Sequence, residues 1–130
     1  MQDEYEAKDQ QSKEEVQEVQ EVQEKKVIRY TPNRWVLLKF TNKETQEQHQ
    51  RVYACWFGGF TSGDRWQLNS GVVDTQEYDG RFVFTSASGK EYVCLKHLQG
   101  LYGMSMYMQN VLQDIISGVD EKFTAEVIEI

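Results

Sequence analysis

Cysteine and long apolar runs are scarce in this sequence of 130 residues, and each scarcity excludes a class of protein. Two cysteines, Cys55 and Cys94, are too few for a disulfide scaffold, so we expect both to be reduced and buried. No apolar run approaches the roughly 20 residues of a membrane span, and the acidic, polar start is unlike a secretory signal. These absences predict a cytoplasmic protein without a membrane partner.

Basic side chains are also in the minority. Lys and Arg number 14 against 21 Asp and Glu, which gives a formal net charge of −7. Residues 1–26 hold nine acidic and four basic side chains, so most of the negative charge lies there, and residues 27–130 are nearly neutral. Because the chain has no basic stripe to meet a phosphate backbone, we expect no direct nucleic-acid partner.

The length accommodates one folded domain. Residues 1–30 are predicted to form an acidic polar tail, partly helical or disordered, and residues 31–130 a single domain with Pro32 at its entry. Within 13–26, valine recurs every third residue, a step that drifts around the surface of an α-helix. We interpret the tail as a solubilising leader, with recognition of a partner as the alternative.

Alternating apolar residues predict β-strands over much of the folded domain. Segments 34–40 and 51–57 are apolar on both faces, which is typical of central strands or of strands covered by another layer. Segment 64–72 alternates most cleanly. In that segment we expect a buried side with Trp66, Leu68 and Val72 and a solvent side with Arg65, Gln67 and Asn69.

Short turns separate the strands that follow. Asp79-Gly80 is a pair that type I′ hairpin turns favour, because both central residues of that turn need a positive φ. Ser88-Gly89 separates the next two apolar segments in the same way. Strands joined successively by such turns form an antiparallel meander.

The C-terminal third changes to helical spacing. Apolar residues over 104–119 recur every three or four positions, with Gly103 or Ser105 as the N-cap and Gly118 at the C-terminal end. Segment 122–130 alternates again, as a strand does. The sequence therefore predicts an α+β fold, with an antiparallel β-meander of about five strands, one C-terminal amphipathic helix packed on the sheet and a final returning strand.

The segment "WFGGFTSGDRWQLNSG" (56–71) has the least ordinary composition in the chain. Its glycines do not have the spacing of a phosphate-binding loop or a dinucleotide fingerprint, and a strand follows where those motifs need a helix. A glycine-rich hairpin is the simplest interpretation, and its aromatic and arginine side chains are types enriched in binding hot spots. The candidate binding residues are Trp56, Phe57, Gly59, Phe60, Asp64, Arg65, Asn69 and, outside the hairpin, Tyr102.

Methionine is concentrated in segment 100–112. Met104 and Met108 share the apolar helical face, so we expect them in the core. Met106 and Tyr102 point elsewhere, and an adaptable apolar contact surface is the other known use of methionine.

Patterns for catalysis and metal binding are weak. Cys94 and His97 have a C-x₂-H spacing, with His49 and Cys55 as conceivable further ligands, but a strand would place Cys94 and His97 on opposite faces. A thiol nucleophile needs a depressed pKa, and nothing in the sequence fixes the neighbours that would depress it. We expect no catalytic residue, no metal and no cofactor.

Three functions are compatible with these patterns. The first is a non-enzymatic protein-protein interaction module, an adaptor or inhibitor such as a phage or mobile element encodes, that binds a protein partner through the 56–69 hairpin. The second is a small-molecule-binding protein with a pocket between sheet and helix, lined by Trp56, Trp66, Tyr102 and Met104. The third is a thiol-dependent enzyme. The last strand is also suited to a sheet edge, where it would pair with a second copy in a homodimer.

Overall fold

Strands dominate the described residues, and the one α-helix among them lies between the seventh and eighth strands, which confirms the α+β class. The computed structural model describes residues 26–58 and 63–130. The elements in chain order are β1 (Arg29–Tyr30), β2 (Arg34–Asn42), β3 (Gln48–Trp56), β4 (Arg65–Leu68), β5 (Val72–Tyr78), β6 (Arg81–Ser86), β7 (Glu91–Leu95), a 3₁₀-helix (Lys96–Leu98), α1 (Met106–Ser117) and β8 (Phe123–Ile128). Most of the expected tail lies outside the described residues, although β1 falls within the range 1–30 assigned to it.

The strands form two sheets, where the sequence predicted about five strands in one. The central sheet has the order β4-β3-β2-β8 and is antiparallel throughout. The outer sheet has the order β1-β7-β6-β5, and its β5–β6–β7 portion is the expected antiparallel meander. Strand β1 joins this sheet in parallel to β7. The final strand, β8, returns to the central sheet beside β2, as predicted.

The central sheet lies between the outer sheet and the helix. Strands β2 and β3 bury one face against the outer sheet, in a core of Trp35, Leu37, Val52, Ala54, Phe82, Phe84, Tyr92 and Cys94. Their other face packs against the helix and the segment before it, in a core of Val36, Leu38, Phe40, Tyr53, Cys55, Met104, Met108 and Leu112. Two buried faces explain why consecutive residues are apolar over 35–38 in β2 and 52–56 in β3.

Helix α1 starts and stops where the sequence predicts. The Ser105 hydroxyl caps its N-terminus by accepting a hydrogen bond from the Met108 N–H at 3.2 Å. Gly118 lies at the C-terminal end, but its φ of −94° is not the left-handed value that the glycine suggested. Among the described residues, no helix has the length and apolar content needed to cross a membrane.

The turn between β5 and β6 differs from the expected type I′. Tyr78 pairs with Arg81, so Asp79-Gly80 are the two central residues. Gly80 has a φ of 86°, whereas the positive φ of Asp79 that a type I′ turn requires is not found. A left-handed φ is strained for a residue with a Cβ, so the glycine alone adopts it.

Candidate protein interaction surface

The unusual 56–71 segment forms the predicted hairpin between β3 and β4. Trp56 pairs with Arg65, and Cys55 pairs with Trp66. At the neck of the loop the backbone approaches itself closely, because a Cβ on Gly58 would lie 1.7 Å from the Gly63 carbonyl oxygen. Only glycine fits at that point. The candidate residues Gly59 and Phe60 lie outside the described residues.

Asp64 closes the same neck. Its carboxylate accepts a hydrogen bond from the Gly58 N–H at 3.4 Å. Phe57 follows β3 directly, its N–H donates to the Asn33 side chain at 2.8 Å, and its ring is exposed. The backbone at the base of the loop is thus fixed while the aromatic side chain stays available.

One face of the hairpin is turned toward the outer sheet. There the Arg65 guanidinium carbon lies 4.7 Å from the Trp56 ring centroid, and the Tyr30 ring meets Trp56 edge-on at 5.9 Å. The Trp56 indole N–H donates to the Thr31 carbonyl oxygen at 3.1 Å. Trp56 therefore packs β1 against the hairpin and is half-buried, so its role is first structural.

The other face carries Trp66. Its partner across the sheet is Cys55, and the partner of Cys55 on β2 is Arg34, so the three side chains form one row. Trp66 packs against Tyr53, with ring centroids 5.8 Å apart, and remains 37% exposed. We expected Trp66 to be buried, but α1 covers only part of this face.

Arg34 connects this row to the segment before the helix. Its guanidinium carbon lies 5.7 Å from the Tyr102 ring centroid, and Tyr102 is 86% exposed. Tyr107, in the first turn of α1, is also exposed. The Tyr53 hydroxyl donates to the carbonyl oxygen of Met108, the residue after Tyr107, at 2.7 Å. Burial raises the pKa of the Tyr53 phenol, and Cys55 and Tyr107 raise it further.

We call Phe57, Trp66, Arg34, Tyr102 and Tyr107 the hairpin surface. It brings two of the predicted binding residues, Phe57 and Tyr102, to the same end of the molecule. Sequence reasoning missed Arg34 and Tyr107, and it assigned Trp66 to the interior. The exposed Met106 lies beside Tyr107 in the chain.

The charges at this end of the molecule lack ionic partners among the described residues. The ion pairs among the described residues lie elsewhere and join Arg29 to Glu91, Lys39 to Glu126 and Lys96 to Glu77. Neither Arg34 nor Arg65 lies within ion-pairing distance of a carboxylate in the described ranges. The Arg34 Nε atom is buried and has no hydrogen-bond partner within 26–58 and 63–130. Both guanidinium groups contact aromatic rings instead.

Asn69 is not on the solvent side, so that expectation is wrong. Its side chain is only 2% exposed, and its Oδ1 accepts hydrogen bonds from the Val52 N–H at 2.9 Å and the Gly71 N–H at 3.2 Å. Strand β4 ends at Leu68. The Asn69 backbone N–H still donates to the Val52 carbonyl oxygen at 3.0 Å, and the side-chain oxygen of Asn69 accepts the Val52 N–H in return. Its role is to hold the end of the hairpin against β3.

The expected pocket between sheet and helix does not form from the residues proposed for it. Trp56 and Trp66 contact opposite sides of the central sheet, Met104 is buried in the core, and Tyr102 extends into solvent. A cleft of about 200 Å³ lies elsewhere, near the C-terminal end of α1, and is lined by Phe40, His49, Arg51, Val119, Asp120 and Phe123. The four side chains named for the pocket thus have no common cavity in the part of the chain described.

Both cysteines are fully buried, as expected. Burial raises the pKa of Cys55 to about 11, with a further rise from Asp64 opposed by a hydrogen bond from Tyr53. Burial also raises the pKa of the Cys94 thiol. His97 lies in the exposed 3₁₀-helix beyond β7, and the described residues hold no cluster of three or more potential metal ligands. These environments oppose the thiolate form that a nucleophile or a metal ligand needs.

The native thiols should therefore react slowly with iodoacetamide. At pH 8 a pKa of about 11 leaves about one Cys55 thiol in a thousand ionised, and burial blocks access as well. Mass spectrometry of the chain labelled with and without denaturant measures the difference. Fast labelling of Cys55 or Cys94 in the folded chain well below pH 8 would contradict this account and would support a thiol-dependent enzyme.

Comparisons of the chain with protein-family models, with curated proteins and with solved structures found no match.

Proposed function

We propose that this protein is a non-enzymatic interaction module, an adaptor or inhibitor, that binds a protein partner through the β3–β4 hairpin and the hairpin surface. The observation that carries the proposal is the grouping of exposed aromatic side chains at one end of the fold, around Trp66 and Tyr102. Clustered exposed aromatics are rare on a surface that contacts only water, and they are typical of protein interfaces.

Support from the core makes these side chains suitable anchors. Trp66 rests on Tyr53, and the Tyr53 hydroxyl donates to the Met108 carbonyl oxygen at 2.7 Å. The ring beneath Trp66 is therefore fixed to α1. An anchor that is already ordered loses little side-chain entropy on binding, so more of the contact energy contributes to affinity.

The charges narrow the class of partner. Arg34 lies among the aromatic side chains of the hairpin surface, Arg65 covers Trp56 on the opposite face of the hairpin, and the described residues offer neither of them a carboxylate. An arginine at the centre of an apolar patch is a frequent hot spot, since it contacts aromatic groups and bonds carboxylates in a fixed geometry. We infer a partner that presents apolar side chains beside at least one Asp or Glu.

Affinity capture from the source cells tests the proposal. We expect the wild-type chain to retain a specific partner and the Trp66→Ala and Tyr102→Ala variants to lose it, with affinity falling at least tenfold for a hot-spot residue. Quantitative mass spectrometry of the captured proteins measures the loss. Tyr102 is 86% exposed, so its replacement should leave stability unchanged.

Tyr78→Ala is the matched control. Tyr78 is 43% exposed and lies under the Arg81 guanidinium carbon at 4.4 Å, an arginine-aromatic pair similar to that of Arg34 and Tyr102. It belongs to the outer sheet, away from the hairpin. Equal capture by wild type, Trp66→Ala and Tyr102→Ala would refute the proposal, as would loss of capture in Tyr78→Ala alone.

A further inference from the structure

The four sheet edges differ in how well they could accept another strand. Strand β1 contributes two residues and β4 four, both short for a stable pairing. Strand β5 is interrupted by a register shift between Val72 and Asp74, a bulge of the kind that protects edges. Strand β8 has neither protection, because it pairs regularly with β2 from Phe123 to Ile128. It is the open edge among the described strands.

The backbone groups that β8 turns outward can be identified. The Lys122 carbonyl oxygen accepts from the Lys43 N–H at 2.8 Å, on the β2 side. At the other end, the Ile130 N–H and carbonyl both bond to the Gln99 side chain, and Gln99 bridges Trp35 of β2. Alternate residues of an antiparallel strand direct these groups to opposite sides. Lys122 and Ile130 direct their backbone groups toward the β2 side. The backbone N–H and carbonyl groups of the odd-numbered residues, including Ala125 and Val127, therefore point away from β2.

We propose that β8 pairs with β8 of a second copy of this chain, antiparallel and with Ala125 opposite Ala125. The segment "FTAEV" (123–127) is self-complementary around that alanine. The Ala125 residues would exchange their N–H and carbonyl groups, and each Val127 N–H would donate to the Phe123 carbonyl of the other copy. The Phe123 N–H is already bonded to the Asp120 carbonyl oxygen at 2.8 Å and needs no partner.

Side chains select the second copy and this register. On the helix side, Val127 is 39% exposed and would pack against Phe123 of the other copy, continuing the core across the two-fold axis. On the opposite side, Thr124 would face Glu126. A shift of two residues would bring Glu126 opposite Glu126, and like charges at that distance destabilise a pair. Within each copy, the Lys39 ammonium lies 3.3 Å from the Glu126 carboxylate, which reduces the negative charge along this edge.

This dimer leaves the hairpin surface accessible. Strands β8 and β4 form opposite edges of the central sheet, so two copies joined at β8 would present two hairpin surfaces at distant ends. Such a bivalent arrangement raises the apparent affinity for a partner that carries two binding sites. The pairing itself does not depend on the proposed function, since it rests on β8 alone.

Two substitutions at Thr124 test the register by sedimentation equilibrium of the 130-residue chain. Thr124 is exposed, so both variants should fold. In Thr124→Lys the new ammonium would face Glu126 of the other copy at two symmetric positions, and the dissociation constant should fall about tenfold. In Thr124→Glu the like charges should raise it by a similar factor. A shift of both variants in the same direction would overturn the register.

Ala125→Pro tests the pairing itself. Its N–H points away from β2, so proline removes a bond of the proposed dimer and none of the monomer, and edge strands tolerate proline at such positions. We expect this variant to be monomeric at concentrations where the wild type is dimeric, with an unchanged far-ultraviolet circular dichroism spectrum. A wild type that stays monomeric up to its solubility limit, or an Ala125→Pro variant that dimerises equally well, would overturn the proposal.

Discussion

The Trp35→Ala variant should lose about 3–5 kcal/mol of unfolding free energy, because it removes the largest fully buried side chain of the fold. Trp35 lies between the two sheets, its ring meets Phe84 edge-on at 5.6 Å, and its indole N–H donates to the Leu95 carbonyl oxygen at 2.8 Å. The ring thus packs β2 against β6 and bonds the end of β7. Small domains have about 5–15 kcal/mol in total, so urea denaturation should show a large shift of the midpoint.

Trp35→Phe separates the two contributions of this residue. Phenylalanine keeps an aromatic ring between the sheets but cannot donate to the Leu95 carbonyl, so we expect a smaller loss of about 1–2 kcal/mol. If Trp35→Ala cost less than about 1 kcal/mol, the side chain would not be enclosed between two sheets as described.

The Asn69→Ala variant should lose about 2–3 kcal/mol without any change to an exposed side chain. The amide oxygen accepts from two backbone N–H groups, those of Val52 and Gly71, and both bonds are buried. Alanine would leave both donors without a partner in a site that water enters poorly, and the cost of such an unpaired buried group is larger than the net value of the bond. Thermal and urea denaturation measure the loss.

Ser70→Ala is the control for this prediction. Ser70 is the next residue, is exposed, and accepts one hydrogen bond from the Ser88 N–H at 3.1 Å. Its replacement should cost about 0.5 kcal/mol, since water replaces an exposed partner. An equal, small cost for Asn69→Ala and Ser70→Ala would mean that Asn69 is a surface residue, as the alternation of the sequence suggested.

Periodicity predicted the parts of the fold that repeat over many residues. Strands β2 and β3 are long and apolar on both faces, so their central position followed from the sequence. Helix α1 combined a regular apolar face with a Ser105 cap, and both its type and its start were confirmed. The final strand was also placed correctly beside the sheet.

The division into two sheets was not predictable from these patterns. Strand β1 has two residues, too few to show any period, and its parallel partner β7 lies about 60 residues further along the chain. The alternation of 64–72 also concealed the end of β4 at Leu68, after which Asn69 turns inward to bond the backbone. A two-residue period of apolar side chains does not show where a strand stops pairing with its neighbour.

The grouping of the candidate residues was only partly predictable from the sequence. Composition drew attention to the hairpin and to Tyr102, and both lie at one end of the fold. Arg34 and Tyr107 join them only because β2 pairs with β3 and α1 crosses that face, contacts that link distant parts of the chain. The alternation of 64–72 predicted a buried Trp66. The helix covers only part of this face, and the sequence does not reveal how far a helix extends over a sheet.

Hydroxyl-radical footprinting of the chain alone and in its native complex tests the central claim most directly. We predict that oxidation of Trp66, Tyr102 and Met106 falls on complex formation, because a partner covers these exposed side chains, while oxidation of Tyr78 on the outer sheet stays the same. Protection of Tyr78 with unchanged oxidation of Trp66 and Tyr102 would contradict it and would place the interface on the other sheet.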